Sequence, residues 1–142
     1  MPQIVKDITE IARCGAQYRN DNLAELNLKG SHASYLMEIC RNPGISQDTL
    51  ARRICINKSN IARQIVVLEE GGFVERRSST EDKRVMELYP TEKTLELLPE
   101  LRKVLGGWSR YLTQDFTEEE IELLAKMLFA MRERAAQWME EN

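Results

Sequence analysis

The chain has 142 residues, a hydrophobic content of 42% and a formal net charge of −3. That length suits one domain with room for an extension used in association, and that apolar content excludes a disordered chain. The longest uninterrupted aliphatic run, Ile65 to Leu68, is far too short to span a bilayer, and no apolar segment follows a charged start, so a cytoplasmic protein is expected.

Ile4, Ile8, Ile11, Gly15 and Tyr18 recur at helical spacing and predict a first helix with one apolar face, continuing through Leu23 and Leu26 (about 4–27). Ser31 is the expected N-cap of a second helix carrying Tyr35, Leu36, Ile39 and Cys40, stopped by Asn42-Pro43-Gly44. Ser46 caps a short third helix, roughly Gln47 to Arg53, with Leu50 and Ile54 turned inward. After a turn at Cys55 to Asn57, a fourth helix runs from about Lys58 to Glu70. Its buried stripe is Ile61, Ile65 and Leu68, and Gly71-Gly72 ends it.

Phe73 to Arg77 and Arg84 to Tyr89 read as paired strands around a loop at Ser78 to Lys83. A fifth helix follows, about Glu92 to Leu112, with a bend or weak point expected at Pro99 or at Gly106-Gly107. Thr117 with Glu120 forms a capping box for the sixth, whose apolar stripe is Ile121, Leu124, Leu128, Met131, Ala135 and Trp138. The fold class is therefore mainly α with a small β-hairpin: a winged helix-turn-helix in one domain over 1–142. Its core spans about 30–91, and the flanking helices, about 4–27 and 92–140, carry stripes that a small core cannot cover. Association into a homodimer is the expected outlet.

Charge is polarised along the chain. From Arg52 to Arg84 eight basic residues face five acidic ones, whereas from Thr117 onward three basic residues face seven acidic ones. The basic stretch coincides with the helix-turn-helix and hairpin. Such a motif places its second helix in the DNA major groove. Lys58, Ser59, Asn60, Arg63 and Gln64 form the polar face of that helix. Asn and Gln can pair with adenine and Arg with guanine, so Ser59, Asn60 and Arg63 are the first candidates for base contact, while Lys58 and Gln64 suit phosphates equally well. Alone, this face is an ordinary solvated surface.

The hairpin loop shifts the balance, because it is too long and too charged for a tight turn. Lys83 and Arg84 sit at its tip, where an arginine can enter a narrow minor groove, and Asp82 is placed to orient Arg84. A winged helix that binds protein rather than DNA is the rival from another class, and it gains little from a basic tip. An enzyme is the weakest reading. There is one histidine, no Gly-rich phosphate loop, no nucleophile motif and no metal-ligand cluster, so no cofactor or metal is expected.

The run LxxxxxxNKSNIARQIVVLEEGGFVERRSSTEDKRVMELYPTEK, with Asp82, Arg84 and Thr91-Glu92-Lys93 in the wing pattern, resembles the MarR family of bacterial transcription regulators. The resemblance implies an obligate dimer with interlocked first and last helices, reading a pseudo-palindromic double-stranded operator. It also implies a repressor released by a small, often anionic aromatic effector. Two positions depart from the family pattern: Thr94 stands where Gly commonly follows Thr-Glu-Lys, and Pro90 replaces an aliphatic residue. His32, Tyr35, Trp108 and Tyr111 are candidates to line an effector pocket, with Arg13 or Arg110 for an anion. One branch of the family senses oxidants through a cysteine near the start of helix one, but Cys14 lies about two turns later. Cys14, Cys40 and Cys55 are expected to be small buried or half-buried thiols, and oxidation of Cys55, in the helix-turn-helix turn, remains open as a disturbance of DNA binding.

Overall fold

The computed structural model describes residues Met1–Asn142. Six helices are present: α1 (Ile4–Leu23), α2 (His32–Arg41), α3 (Gln47–Arg53), α4 (Lys58–Glu70), α5 (Glu92–Leu112) and α6 (Glu118–Glu141), with a single 3₁₀ turn, Ala24–Leu26, after α1. Three strands, β1 (Ile45–Ser46), β2 (Val74–Ser78) and β3 (Met86–Pro90), form an antiparallel sheet in the order β1-β3-β2.

The middle of the chain folds as the apolar spacing dictates. Leu50, Ile61, Ile65 and Leu68 are buried and meet Leu23, Leu36, Ile39, Leu88 and Leu101 in one core. Burying such side chains contributes roughly 1.5–3 kcal/mol each. Helix ends are set by local chemistry. Ser46 Oγ accepts from Thr49 N–H at 3.1 Å and starts α3. Asn57 Oδ1 accepts from Asn60 N–H at 2.7 Å and from the Ser59 hydroxyl at 3.0 Å, so Asn57 starts α4. At the other end of α4, Gly72 has φ +80°, the left-handed conformation that L side chains rarely adopt. Around it Phe73 N–H donates to Leu68 O at 2.9 Å and Gly72 N–H to Glu69 O at 3.0 Å, closing α4 and turning the chain into β2. Asn57→Ala should therefore cost about 0.5–2 kcal/mol. Urea unfolding followed by circular dichroism checks this, and an unchanged midpoint would show that the cap adds nothing.

Several expectations are corrected. Ser31 is not a side-chain cap: its backbone is already helical (φ −64°, ψ −26°), whereas an N-cap needs an extended backbone to aim its oxygen at the first turn. The first helix ends at Leu23, and the left-handed Asn27 (φ 61°) closes the 3₁₀ turn that follows. The two hairpin strands start one or two residues later than expected, and β1 was not foreseen. A two-residue strand carries no periodicity; only its pairing of Ile45 with Leu88 and Ser46 with Glu87 makes it one.

Helix α5 is continuous through Pro99 and Gly106-Gly107. The glycine has a packing reason instead: a Cβ on Gly107 would sit 3.0 Å from Tyr18 Oη. Tyr18 also donates to Val104 O at 3.0 Å, and Trp108 stacks on it at 5.0 Å, so α1 and α5 cross closely here.

The outer elements bury little. Helix α6 has no buried residue, and Ile121, Leu123, Met127, Leu128, Phe129 (61% exposed), Met131 and Trp138 (63% exposed) face outward, as do Ile4, Val5, Ile8 and Ile11 on α1. No helix is long and apolar enough to cross a membrane.

Candidate nucleic-acid interface

The cap and turn chemistry around α4 leaves a defined polar surface. Lys58 and Ser59 are exposed on its first turn, Asn60 is half-buried, and Arg63 is exposed one turn on. Lys58 Nζ lies 3.4 Å from Asp48 Oδ2, an exposed pair of little energetic weight. The Ser59 hydroxyl is occupied by Asn57. Gln64 differs from its neighbours: it is half-buried, and its Oε1 lies 2.9 Å from His32 Nε2. The turn before α4 is held by Cys55 in the left-handed region (φ 56°), the position after a helix that glycine usually fills. Ile56 N–H then donates to Ala51 O at 3.0 Å.

The wing is fixed to α4 from below. Arg76 on β2 meets Glu69 at 2.9 Å, and that guanidinium holds the Glu69 carboxyl below the usual carboxylate range. On the sheet's outer face Arg77 lies 4.2 Å over the Tyr89 ring and bonds Glu75 through two nitrogens, at 3.0 and 3.2 Å.

At the tip, Asp82 takes three hydrogen bonds from one residue. Its Oδ1 accepts from the Arg84 backbone N–H at 3.0 Å and from Nε at 3.1 Å, while Oδ2 accepts from a terminal guanidinium nitrogen at 3.1 Å. These bonds hold the Asp82 carboxyl below the ordinary aspartate range, the side-chain bond from Arg84 first and its backbone N–H second. The Arg84 side chain is nonetheless 91% exposed. It is aimed without being consumed. Lys83 beside it is exposed as well.

Two residues that shape this surface were not singled out from the sequence. Asn57 was read as turn, although an Asn four residues before the helix's first apolar residue, Ile61, is an N-cap signal. Ser79 is buried in the wing, where its Oγ accepts from Glu81 N–H at 3.2 Å and Asp82 N–H at 3.4 Å, while its own N–H donates to Val85 O at 2.9 Å. No sequence signal separates Ser79 from Ser78.

Of the four aromatic candidates, His32 and Tyr35 are buried with ring centroids 6.1 Å apart, whereas Trp108 stacks between Tyr18 and Tyr111 along α5. An open concavity of about 460 Å³ lies elsewhere, between the helix-turn-helix turn and the end of α6, lined by residues including Arg52, Cys55, Ile56, Lys58, Ala136 and Met139. Above it Arg132 of α6 donates to Arg53 O, at the end of α3, at 2.7 Å.

The thiols also depart from expectation: Cys14 and Cys55 are exposed and only Cys40 is half-buried. Cys14 lies beside Gly15, which is buried against Trp108, but is itself on an uncovered side of α1, and Cys55 is exposed in its turn. Burial pushes the Cys40 thiol up, against a smaller opposing pull from Arg102. No three His, Cys, Asp or Glu side chains are grouped so as to hold a metal ion.

Comparison with known proteins agrees with this architecture. The MarR family model matches residues 29–86, the helix-turn-helix and most of the wing. The uncharacterized HTH-type transcriptional regulator YybA of Bacillus subtilis is 33% identical over 132 residues, covering 93% of this chain and 88% of its own. The crystal structure of the transcriptional regulator SlyA superposes with a TM-score of 0.93 at 32% identity, covering 98% of both chains. A MarR family regulator from Listeria monocytogenes, solved in complex with 26mer DNA, has a TM-score of 0.93 at 32% identity and covers 98% of this chain and 93% of its own. On motif, fold and relatives of nearly full length together, this chain belongs to the MarR family of winged helix-turn-helix transcriptional regulators.

Proposed function

We propose that two copies of this chain bind a pseudo-palindromic site in double-stranded DNA in the cytoplasm and repress transcription there until a small effector releases them. The observation that carries the DNA reading is the wing tip: Asp82 pre-orients an arginine that remains almost wholly exposed, beside a recognition helix whose Lys58, Ser59 and Arg63 face solvent. Orienting Arg84 in advance removes much of the entropy cost of ordering it on DNA. Asn60 and Arg63 suit base edges, and Lys58, Lys83 and Arg84 suit the phosphate-lined grooves. The Listeria relative solved in complex with 26mer DNA supports DNA as the ligand.

Dimerisation is supported by the uncovered apolar surfaces of α1 and α6, which water alone would leave costly. A two-fold pair would set its recognition helices about 34–36 Å apart, one turn of B-DNA. For release, the concavity offers an apolar floor with Arg52 and Lys58 at its edge, a match for a small aromatic anion. Arg132 gives α6 a direct hold on the end of α3, so an occupant that displaced α6 would be felt by the helix-turn-helix.

Arg84→Ala tests the wing. Affinity should fall on all duplex DNA, and the slope of log K against log salt should flatten by about one unit. An unchanged slope in fluorescence anisotropy titrations would remove Arg84 from the interface.

A further inference from the structure

His32 is the chain's one histidine, it is 2% exposed, and it touches the recognition helix. Its two ring nitrogens have partners of different kinds. The Lys29 backbone N–H, which can only donate, points at Nδ1 at 3.1 Å. Nδ1 therefore carries the lone pair, and in a neutral imidazole the proton sits on Nε2. Burial first, and Lys29 as a lesser cause, lower the imidazole's pKa, with the Gln64 bond opposing them. The ring is neutral.

The consequence passes to Gln64. His32 Nε2–H must donate, so the Gln64 atom 2.9 Å away has to be the amide oxygen, and the amide NH2 is the end left over. That NH2 bonds no protein atom and is not among the buried unsatisfied groups, so it reaches solvent. Gln64 stands one helical turn after Asn60 on α4, on the same side of the helix.

We propose that His32 is a positioning residue of the DNA-reading surface: through its Nε2–H it locks the Gln64 amide so that α4 presents a donor-only group to an acceptor on duplex DNA. The inference rests on the DNA-binding reading above. The acceptor is a purine N7, guanine O6, thymine O4 or a phosphate oxygen. Bidentate pairing of Gln64 with adenine, which needs the amide oxygen as well, is set aside because that oxygen is held inward. The lock runs from a main-chain N–H through one imidazole to one amide, and no charge is involved at any step.

The test is a double-mutant cycle on DNA affinity with the full-length protein, after a binding selection with the unmodified protein has defined its site. His32→Asn keeps an acceptor near the Nδ1 position for Lys29 but removes the donor to Gln64. His32→Gln restores a donor near the Nε2 position. Gln64→Ala and His32→Asn should each weaken binding about three- to tenfold, as for loss of one neutral hydrogen bond. In the Gln64→Ala background His32→Asn should then have no further effect, and His32→Gln alone should recover most of the loss.

Coupling confined to one base pair identifies a base acceptor; coupling on every sequence identifies a phosphate. Additive losses, or a His32→Asn effect that persists without Gln64, overturn the proposal, since a merely structural histidine behaves that way. Nitrogen-15 NMR of the unmodified protein is a second arm that does not depend on any variant folding. It should find Nδ1 unprotonated and Nε2 protonated, and the opposite tautomer overturns the lock. Failure of the unmodified protein to select any DNA would sink the DNA reading itself, an outcome distinct from additive variants.

Discussion

Leu128→Glu is expected to turn the protein from a dimer into a monomer and to weaken operator binding by about 10²–10⁴-fold, the gain that linking two half-site readers supplies. Leu128 lies mid-way along α6, exposed, with Met131 on the next turn and Phe129 and Met127 on either side. Helix α6 buries nothing within one chain, so a charge there should leave the core of Leu36, Leu50, Ile61 and Leu68 untouched. Glutamate is also a good helix former, which separates loss of association from loss of α6. Light scattering at micromolar concentration reads the mass, and anisotropy on the same samples reads the affinity. A wild-type monomer would end the dimer reading. A Leu128→Glu dimer with full affinity would move the interface away from this stretch.

Arg63→Ala and Asn60→Ala are each expected to cost about 1–3 kcal/mol on the cognate site and much less on random DNA. Arg63 is exposed with no partner in the chain, and a free guanidinium on the outward side of α4 matches the two acceptors of guanine. Asn60 is anchored only through its backbone N–H, to Asn57, which leaves its amide side chain available. Competition titrations with cognate and scrambled duplexes decide the matter. Equal losses on both would assign these residues to phosphates. Because Arg84 lies in the wing and these two in α4, their effects should add.

The central part of the fold was legible because its signals are local. Ile61, Ile65 and Leu68 mark a buried helix face by spacing alone, and the structure buries all three. Ser46 and the Thr117–Glu120 capping box are short-range chemistry, and both are present as hydrogen bonds. Asp82 and Arg84 are two residues apart, close enough for their pairing to be read directly. Strand β1 was invisible, because Ile45 and Ser46 become a strand only through Leu88 and Glu87, some forty residues on. The glycine pair in α5 read as a bend or weak point until Tyr18 was placed against Gly107.

The amino-acid sequence by itself determined the element order, most helix boundaries, the basic stretch and the wing's ion pair, because each depends on residues within a few positions of one another. Only the tertiary structure decided which polar residues are free to act. Gln64 looked equivalent to Lys58 along the chain. Folding brings His32 from thirty-two residues away beneath it and turns one end of its amide inward. Likewise Cys14 and Cys55 gained no cover, and α6 kept its apolar surface outward. Burial and hydrogen-bond partnership are properties of neighbours distant in sequence, and periodicity does not contain them.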